Sequence, residues 1–270
     1  MALTPVSNGN VEHMAEHFAH LVRGSGPGIL LAHGAGGSVA GNYGPILDDL
    51  ATTHTVVGPD YPGSGDTPRS RVPLVLDDVA DSLVRTAVDA GVDRFAVLGY
   101  SLGTAVAVRI AARHPERVTG LVLTAGFAFP DNRIRLAVRV WRDLLAAGDR
   151  VLLARFLTLV GTGATRLNGL APADVETAVA ALADFVPAGT PEHVDLVAGA
   201  DIRADLPRIH VPTLVVATAE DGLVAPEHSR QLAAGIPGAE LVEVPAGHDV
   251  AAEARDEWLA AIRSLLTRVG

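Results

Sequence analysis

Residues 99–103 read Gly-Tyr-Ser-Leu-Gly. They follow an apolar run, Phe95-Ala96-Val97-Leu98, and precede a helical pattern over 104–114. In a strand–turn–helix setting, G-x-S-x-G holds a serine on a sharp turn where its hydroxyl can act as a nucleophile. Gly99 and Gly103 suit that turn because backbone segments approach closely and a Cβ would collide. The helix after Ser101 aims its first N–H groups and positive dipole end at the same point, where developing negative charge is stabilised. A serine hydroxyl is a weak nucleophile, so it needs a base, and the base needs a third group to fix its tautomer and offset its charge. Two later segments are placed to supply these. Residues 215–221 are an apolar run ending in Glu220-Asp221, and residues 241–249 are an apolar run followed by Gly247-His248-Asp249. The order serine, acid, histidine is one of three unrelated chain orders that build the same geometry.

Among the ten histidines, His248 alone lies in a Gly-His-Asp turn between a strand pattern and the final helix. Asp249 beside it is expected to cap that helix. His33 reads as a brace in an earlier turn, and His210 and His228 read as structural. His13, His17 and His20 match no metal-ligand spacing; that segment reads as an edge hairpin ending at 24–28, and no metal is expected. The loop 60–65 lacks the G-x-x-x-x-G-K-[ST] lysine of a phosphate loop.

Composition narrows the chemistry. The chain has no cysteine, so thiol catalysis, disulfides and thiolate metal sites are excluded. All 21 basic residues are arginine, which excludes lysine Schiff bases. A net charge of -10 argues against nucleic acid and anionic membranes as partners. No signal peptide and no apolar run of membrane-spanning length are visible, so a cytoplasmic location is expected. At 270 residues and 49% hydrophobic, the chain can bury one large core.

The elements that must position these groups follow from periodicity. Apolar runs at 29–32, 55–57, 95–98, 118–124, 213–217 and 241–244 are mostly continuous, as in strands covered on both faces. Amphipathic patterns over 44–51, 76–90, 102–114, 226–234 and 250–267 lie between them. This alternation predicts an α/β fold with a doubly wound, mainly parallel sheet. The rhythm breaks from 127 to 207, where helical patterns at 132–147, 150–160, 173–185 and 192–198 occur without a strand. Proline and glycine punctuate their ends. The expected organisation is a core of residues 1–126 and 208–270 with a helical lid of residues 127–207. The stripe Leu136, Val140, Leu144 with Trp141 is expected to serve as lid core and ligand contact.

Five segments carry a resemblance in order: His33-Gly34-Ala35-Gly36-Gly37, 60–65, 99–103, 221–226 and 247–249. With them the chain resembles the α/β-hydrolase superfamily over nearly its whole length. The resemblance implies an eight-stranded sheet and a cap inserted after the strand that follows the nucleophile helix. It favours Asp221 over Glu220 as the acid, because the spacing to Pro226 matches the family's turn. It implies an oxyanion hole made by the N–H groups of Leu102 and Ala35, with His33, Gly34, Gly99 and Gly103 in support.

The expected activity is a serine hydrolase for carboxylic esters, lactones or thioesters, without a cofactor, acting on a small-molecule acyl substrate, free or carrier-bound. Relatives also hydrolyse carbon–carbon bonds or carry out cofactor-free perhydrolysis. The perhydrolytic ones usually have proline where this chain has Gly36, and the carbon–carbon hydrolases have small polar residues where it has Tyr100. A non-hydrolytic ligand receptor or biosynthetic accessory is the alternative from another class. Epoxide hydrolases and haloalkane dehalogenases carry aspartate at the position of Ser101. A monomer or homodimer is expected.

Overall fold

The computed structural model describes residues 18–270. Seven strands form one sheet: β1 (His20–Arg23), β2 (Gly28–Ala32), β3 (Thr55–Pro59), β4 (Phe95–Tyr100), β5 (Val118–Thr124), β6 (Thr213–Thr218) and β7 (Glu240–Val244), in the order β1-β3-β2-β4-β5-β6-β7. All neighbouring pairs are parallel except β1 with β3. The expected count of eight strands is corrected to seven among the described residues: 20–23 is the only strand there beyond the six apolar runs. Of the segment expected as an edge hairpin ending at 24–28, residues 20–23 form the edge strand β1, paired antiparallel with β3, and the part before residue 18 lies outside the described residues. His20 sits on this edge strand with its ring Nδ1 3.0 Å from the carbonyl of Phe18, while His13 and His17 lie outside the described residues.

Side chains alternate across the sheet with period two. Leu30, Val57, Val97, Leu121, Leu123 and Val215 enter one buried cluster with α2 (Leu76–Asp89), α3 (Leu102–Arg113) and α9 (Pro226–Gly235). Ile29, Leu31, Val56, Leu98, Val122 and Val216 enter a second with α1 (Val39–Ala51), α10 (Val250–Glu253) and α11 (Arg255–Val269). Burial on both faces explains why the strand sequences are continuously apolar. The final helix predicted over 250–267 is broken at Ala254, whose φ of -144° and ψ of 48° are not helical.

Five helices lie between β5 and β6: α4 (Asn132–Ala147), α5 (Arg150–Gly161), α6 (Ala164–Gly169), α7 (Pro172–Asp184) and α8 (Thr190–Gly199). α6 is a single short helix that periodicity did not reveal. The inward stripe of α4 is Ile134, Val138 and Trp141, whereas Leu136 is 64% exposed. Of the expected stripe Leu136, Val140, Leu144 with Trp141, Trp141 is buried and lines the cavity and Leu144 packs half-buried against the core, but Leu136 faces outward and Ile134 and Val138 take the inward positions. Both stripes have helical spacing in the sequence, and contact with the core selects between them.

Candidate active site

Ser101 follows β4 directly, Asp221 follows β6, and His248 follows β7. These strands run parallel, so all three residues emerge at the same edge of the sheet, outside the carboxyl ends of the strands. Ser101 has φ 54° and ψ -119°, a conformation L residues rarely adopt and one that costs on the order of 1–3 kcal/mol. It starts α3, yet its side chain makes no capping hydrogen bond. The hydroxyl is instead 2.9 Å from His248 Nε2. A Cβ on Gly99 would lie 2.5 Å from the carbonyl oxygen of Gly103, and one on Gly103 would lie 1.9 Å from that of Ala32. The turn is therefore possible only with glycine at both flanks.

His248 Nδ1 lies 2.6 Å from Asp221 Oδ2. A carboxylate can only accept, so Nδ1 carries the proton and the Nε2 lone pair faces Ser101. Asp221 is buried and its acceptor sites are filled: Oδ1 receives the N–H groups of Leu223 and Val224, and Oδ2 also receives the Thr218 hydroxyl. Glu220 points elsewhere, accepting from the Thr165 N–H. Asp249 occupies the N-cap position of α10 without a side-chain cap hydrogen bond, so the expected capping role is corrected. Its own N–H and that of His248 turn to the carbonyl of Gly161 at the end of α5, at 3.3 and 2.6 Å. Sequence reasoning missed two further braces of this loop. The Tyr100 hydroxyl donates to the His248 carbonyl, and Glu253 accepts the N–H groups of Gly247 and Gly163.

Burial lowers the proton affinity of His248, but the charge and hydrogen bond of Asp221, with Asp249 and Glu253 nearby, outweigh it and raise its pKa above the ordinary 6.5. A base must be neutral to accept a proton. Hydrolysis that depends on His248 is therefore expected to fall on acidification through an apparent pKa above 6.5 in a kcat/KM profile. Asp249→Asn removes one negative charge facing the ring and should move that limb to lower pH. An unmoved limb would show that another group controls it.

The loop 33–37 runs beside Ser101: a Cβ on Gly34 would be 3.2 Å from the serine Cβ. His33 is fully buried, and burial, with His193 nearby, pushes its pKa down to about 3 despite its bond to Gly34. The Tyr61 N–H donates to Nε2 at 2.9 Å, so Nδ1–H donates to the Gly34 carbonyl at 2.8 Å. In a trans peptide the C=O and N–H point in opposite directions. Holding the Gly34 carbonyl on His33 therefore turns the Ala35 N–H the other way. The N–H groups of Ala35 and Leu102 have no partner among the described residues.

A cavity of about 370 Å³ opens above Ser101 and His248. Its floor includes Gly34, Ala35 and Tyr100, and its roof comes from α4, α5, α7 and α8 through Ile134, Val138, Trp141, Leu157, Leu182 and Val197. The lining is mainly apolar. A buried serine–imidazole–carboxylate chain under an apolar roof can perform acyl transfer.

The sequence profile described as "alpha/beta hydrolase fold" matches residues 27–254. The chain belongs to this family. It is thereby a hydrolase with a mainly parallel sheet flanked by helices. This α/β hydrolase is 32% identical over 250 residues to the pyrrolizixenacetamide deacetylase of Xenorhabdus hominickii, covering 92% of this chain and 94% of the relative. It is 31% identical over 226 residues to a pimeloyl-[acyl-carrier protein] methyl ester esterase of Neisseria meningitidis, covering 79% and 83%. A solved hydrolase from Pseudomonas aeruginosa superposes with a TM-score of 0.82 at 26% identity, covering 96% of this chain and 99% of that one. Among the described residues, no helix is long and apolar enough to cross a membrane.

Proposed function

We propose that this hydrolase cleaves ester-type bonds by acyl transfer to Ser101. The supporting observation is the continuous chain from Ser101 Oγ to His248 Nε2 at 2.9 Å and from His248 Nδ1 to Asp221 at 2.6 Å. His248 takes the hydroxyl proton as Oγ attacks the acyl carbonyl. The carbonyl oxygen becomes an oxyanion held by the N–H groups of Ala35 and Leu102, each worth on the order of 3–4 kcal/mol to such a charge. Asp221 orients and stabilises the imidazolium, which returns the proton to the leaving group as the tetrahedral carbon collapses. Water, deprotonated by His248, then releases the acid and restores the serine. The sequence requires no cofactor.

The inserted helices, residues 127–207, act in this reading as a lid that excludes water and shapes the acyl site. The apolar cavity of about 370 Å³ favours an apolar acyl group of moderate size. The similarity to an esterase named for the methyl ester of a carrier-bound acyl group is consistent with a small alcohol as leaving group and with an acyl part that is free or carrier-attached. The test is twofold. A fluorophosphonate should label folded protein at Ser101 alone, and no adduct there would defeat the proposal. In a p-nitrophenyl ester series, kcat/KM should rise about fourfold per acyl methylene, as burial of each contributes about 0.8 kcal/mol, until the cavity is full. A flat series would remove the acyl group from that cavity. Comparing an oxygen ester and a thioester of one acid separates esterase from thioesterase preference.

A further inference from the structure

One residue of α8 reaches the loop beside Ser101 and makes two polar contacts with the core. His193 is fully buried. Its Nδ1 is 3.2 Å from the Gly36 nitrogen and its Nε2 is 3.0 Å from the Pro62 carbonyl oxygen. The directions of both bonds follow from the partners. A backbone N–H can only donate and a carbonyl can only accept, so Nδ1 is bare and Nε2 carries the proton. Burial also keeps this ring neutral, moving its pKa down to about 4 against the opposing effects of Pro62 and Glu192.

The consequence lies in the peptide planes around Ala35. The plane between Gly34 and Ala35 is set by His33, which holds the Gly34 carbonyl. The plane between Ala35 and Gly36 is set by His193, which holds the Gly36 N–H. The two planes share the Ala35 Cα, so fixing both fixes the φ and ψ of Ala35 and the direction of its N–H. The Gly36 N–H is thereby turned away, and Gly36 itself has φ +65°, a conformation open to glycine. The contact is not adaptable. A Cβ on Gly36 would lie 3.0 Å from both Thr190 and Trp141, and the start of α8 is tied to the core by the Gly189 N–H on the Gly63 carbonyl at 3.0 Å.

We infer that His193, 157 residues away from Gly36 in sequence, is a positioning residue for the oxyanion donor Ala35, so that the inserted helices complete the catalytic geometry as well as roof the pocket. The inference rests on acyl transfer at Ser101 as proposed above. His193 touches neither substrate nor the reacting atoms; it acts through the loop.

His193→Ala leaves the Gly36 N–H unpaired and frees the second plane. It should lower kcat for an ester about tenfold to a hundredfold, the scale of a displaced oxyanion donor, with KM changed less than about threefold. Affinity for a trifluoromethyl ketone, whose hemiketal on Ser101 places an oxyanion at the same point, should fall by the same factor. His193→Gln can offer Oε1 to Gly36 and Nε2–H to Pro62, and should restore most of both losses. A normal kcat in His193→Ala, or a loss carried by KM that His193→Gln does not repair, would overturn the inference. Nitrogen-15 spectra of labelled histidine in the wild-type protein provide a reading that needs no variant to fold. They should show a neutral ring with bare Nδ1 and protonated Nε2 at pH 7; a protonated Nδ1 would overturn the inference. If wild type neither turns over esters nor forms a serine adduct, acyl transfer fails instead, and the ring spectrum still reports on this contact.

Discussion

Ser101→Ala is expected to lower kcat for a p-nitrophenyl ester by about 10⁴-fold or more and to abolish fluorophosphonate labelling, because nothing else in the site can take the acyl group. His248→Ala should cost a comparable factor, since the hydroxyl 2.9 Å away then has no base. The double variant should be scarcely worse than either single one, because serine and histidine act as a unit. Residual turnover above the uncatalysed rate should persist, carried by the N–H groups of Ala35 and Leu102 and by binding in the cavity. Melting temperatures should change little in Ser101→Ala, which keeps the strained backbone at φ 54°. Steady-state kinetics on the three variants checks this. Losses that multiplied in the double variant would mean that the two side chains act in separate steps, against the mechanism proposed.

Gly103→Ala is expected to destabilise the fold by more than about 3 kcal/mol, in the range that demands a specific cause. The cause is a Cβ 1.9 Å from the Ala32 carbonyl oxygen, 2.5 Å from its carbon and 2.9 Å from the His33 oxygen. These are backbone atoms at the end of β2, which is paired in register with β4 through Ala32 and Gly99. They cannot rotate out of the way as a side chain would, so α3 or the central strand pair must shift. For a chain of this length that loss corresponds to a fall in melting temperature of about 6–12 °C. Gly199→Ala, at the end of α8 with nothing within 4 Å of the new Cβ, is the control and should be neutral or slightly stabilising. Calorimetry on the two variants decides the point. Equal melting temperatures would show that the turn can open to admit a methyl group.

Strands β2 to β6 were legible because both their faces are largely buried, which leaves apolar runs, whereas β7 is exposed at four of its five residues and was legible only through Leu241, Val242 and Val244. β1 was not, since its residues are half-buried or exposed. The phase of α4 was only partly legible: Trp141 is common to both stripes, Ile134 and Val138 and Leu136 and Val140 are equally spaced by four, and only the surface beneath the helix distinguishes these pairs. Glu220 and Asp221 are adjacent, and it is the turn from Thr218 to Val224 that wraps one carboxylate in donors and leaves the other outside.

By itself, the sequence determined the doubly wound sheet, the turn at Ser101, and the chain order of Ser101, Asp221 and His248. Each of these imposes a local backbone demand, such as a Cβ-free approach or a polar residue at a strand end, and local demands restrict residue type where they occur. Only the tertiary structure decided the shape of the cavity, the brace from Tyr100 to the His248 carbonyl, and the contact of His193 with Gly36. The cavity and the His193 contact depend on how α4 to α8 settle over the sheet, and the Tyr100 brace on how the loop after β7 folds back over β4. A hydrogen bond between groups far apart in the chain places no periodic or compositional mark on either segment, so it exists only once packing has brought them together.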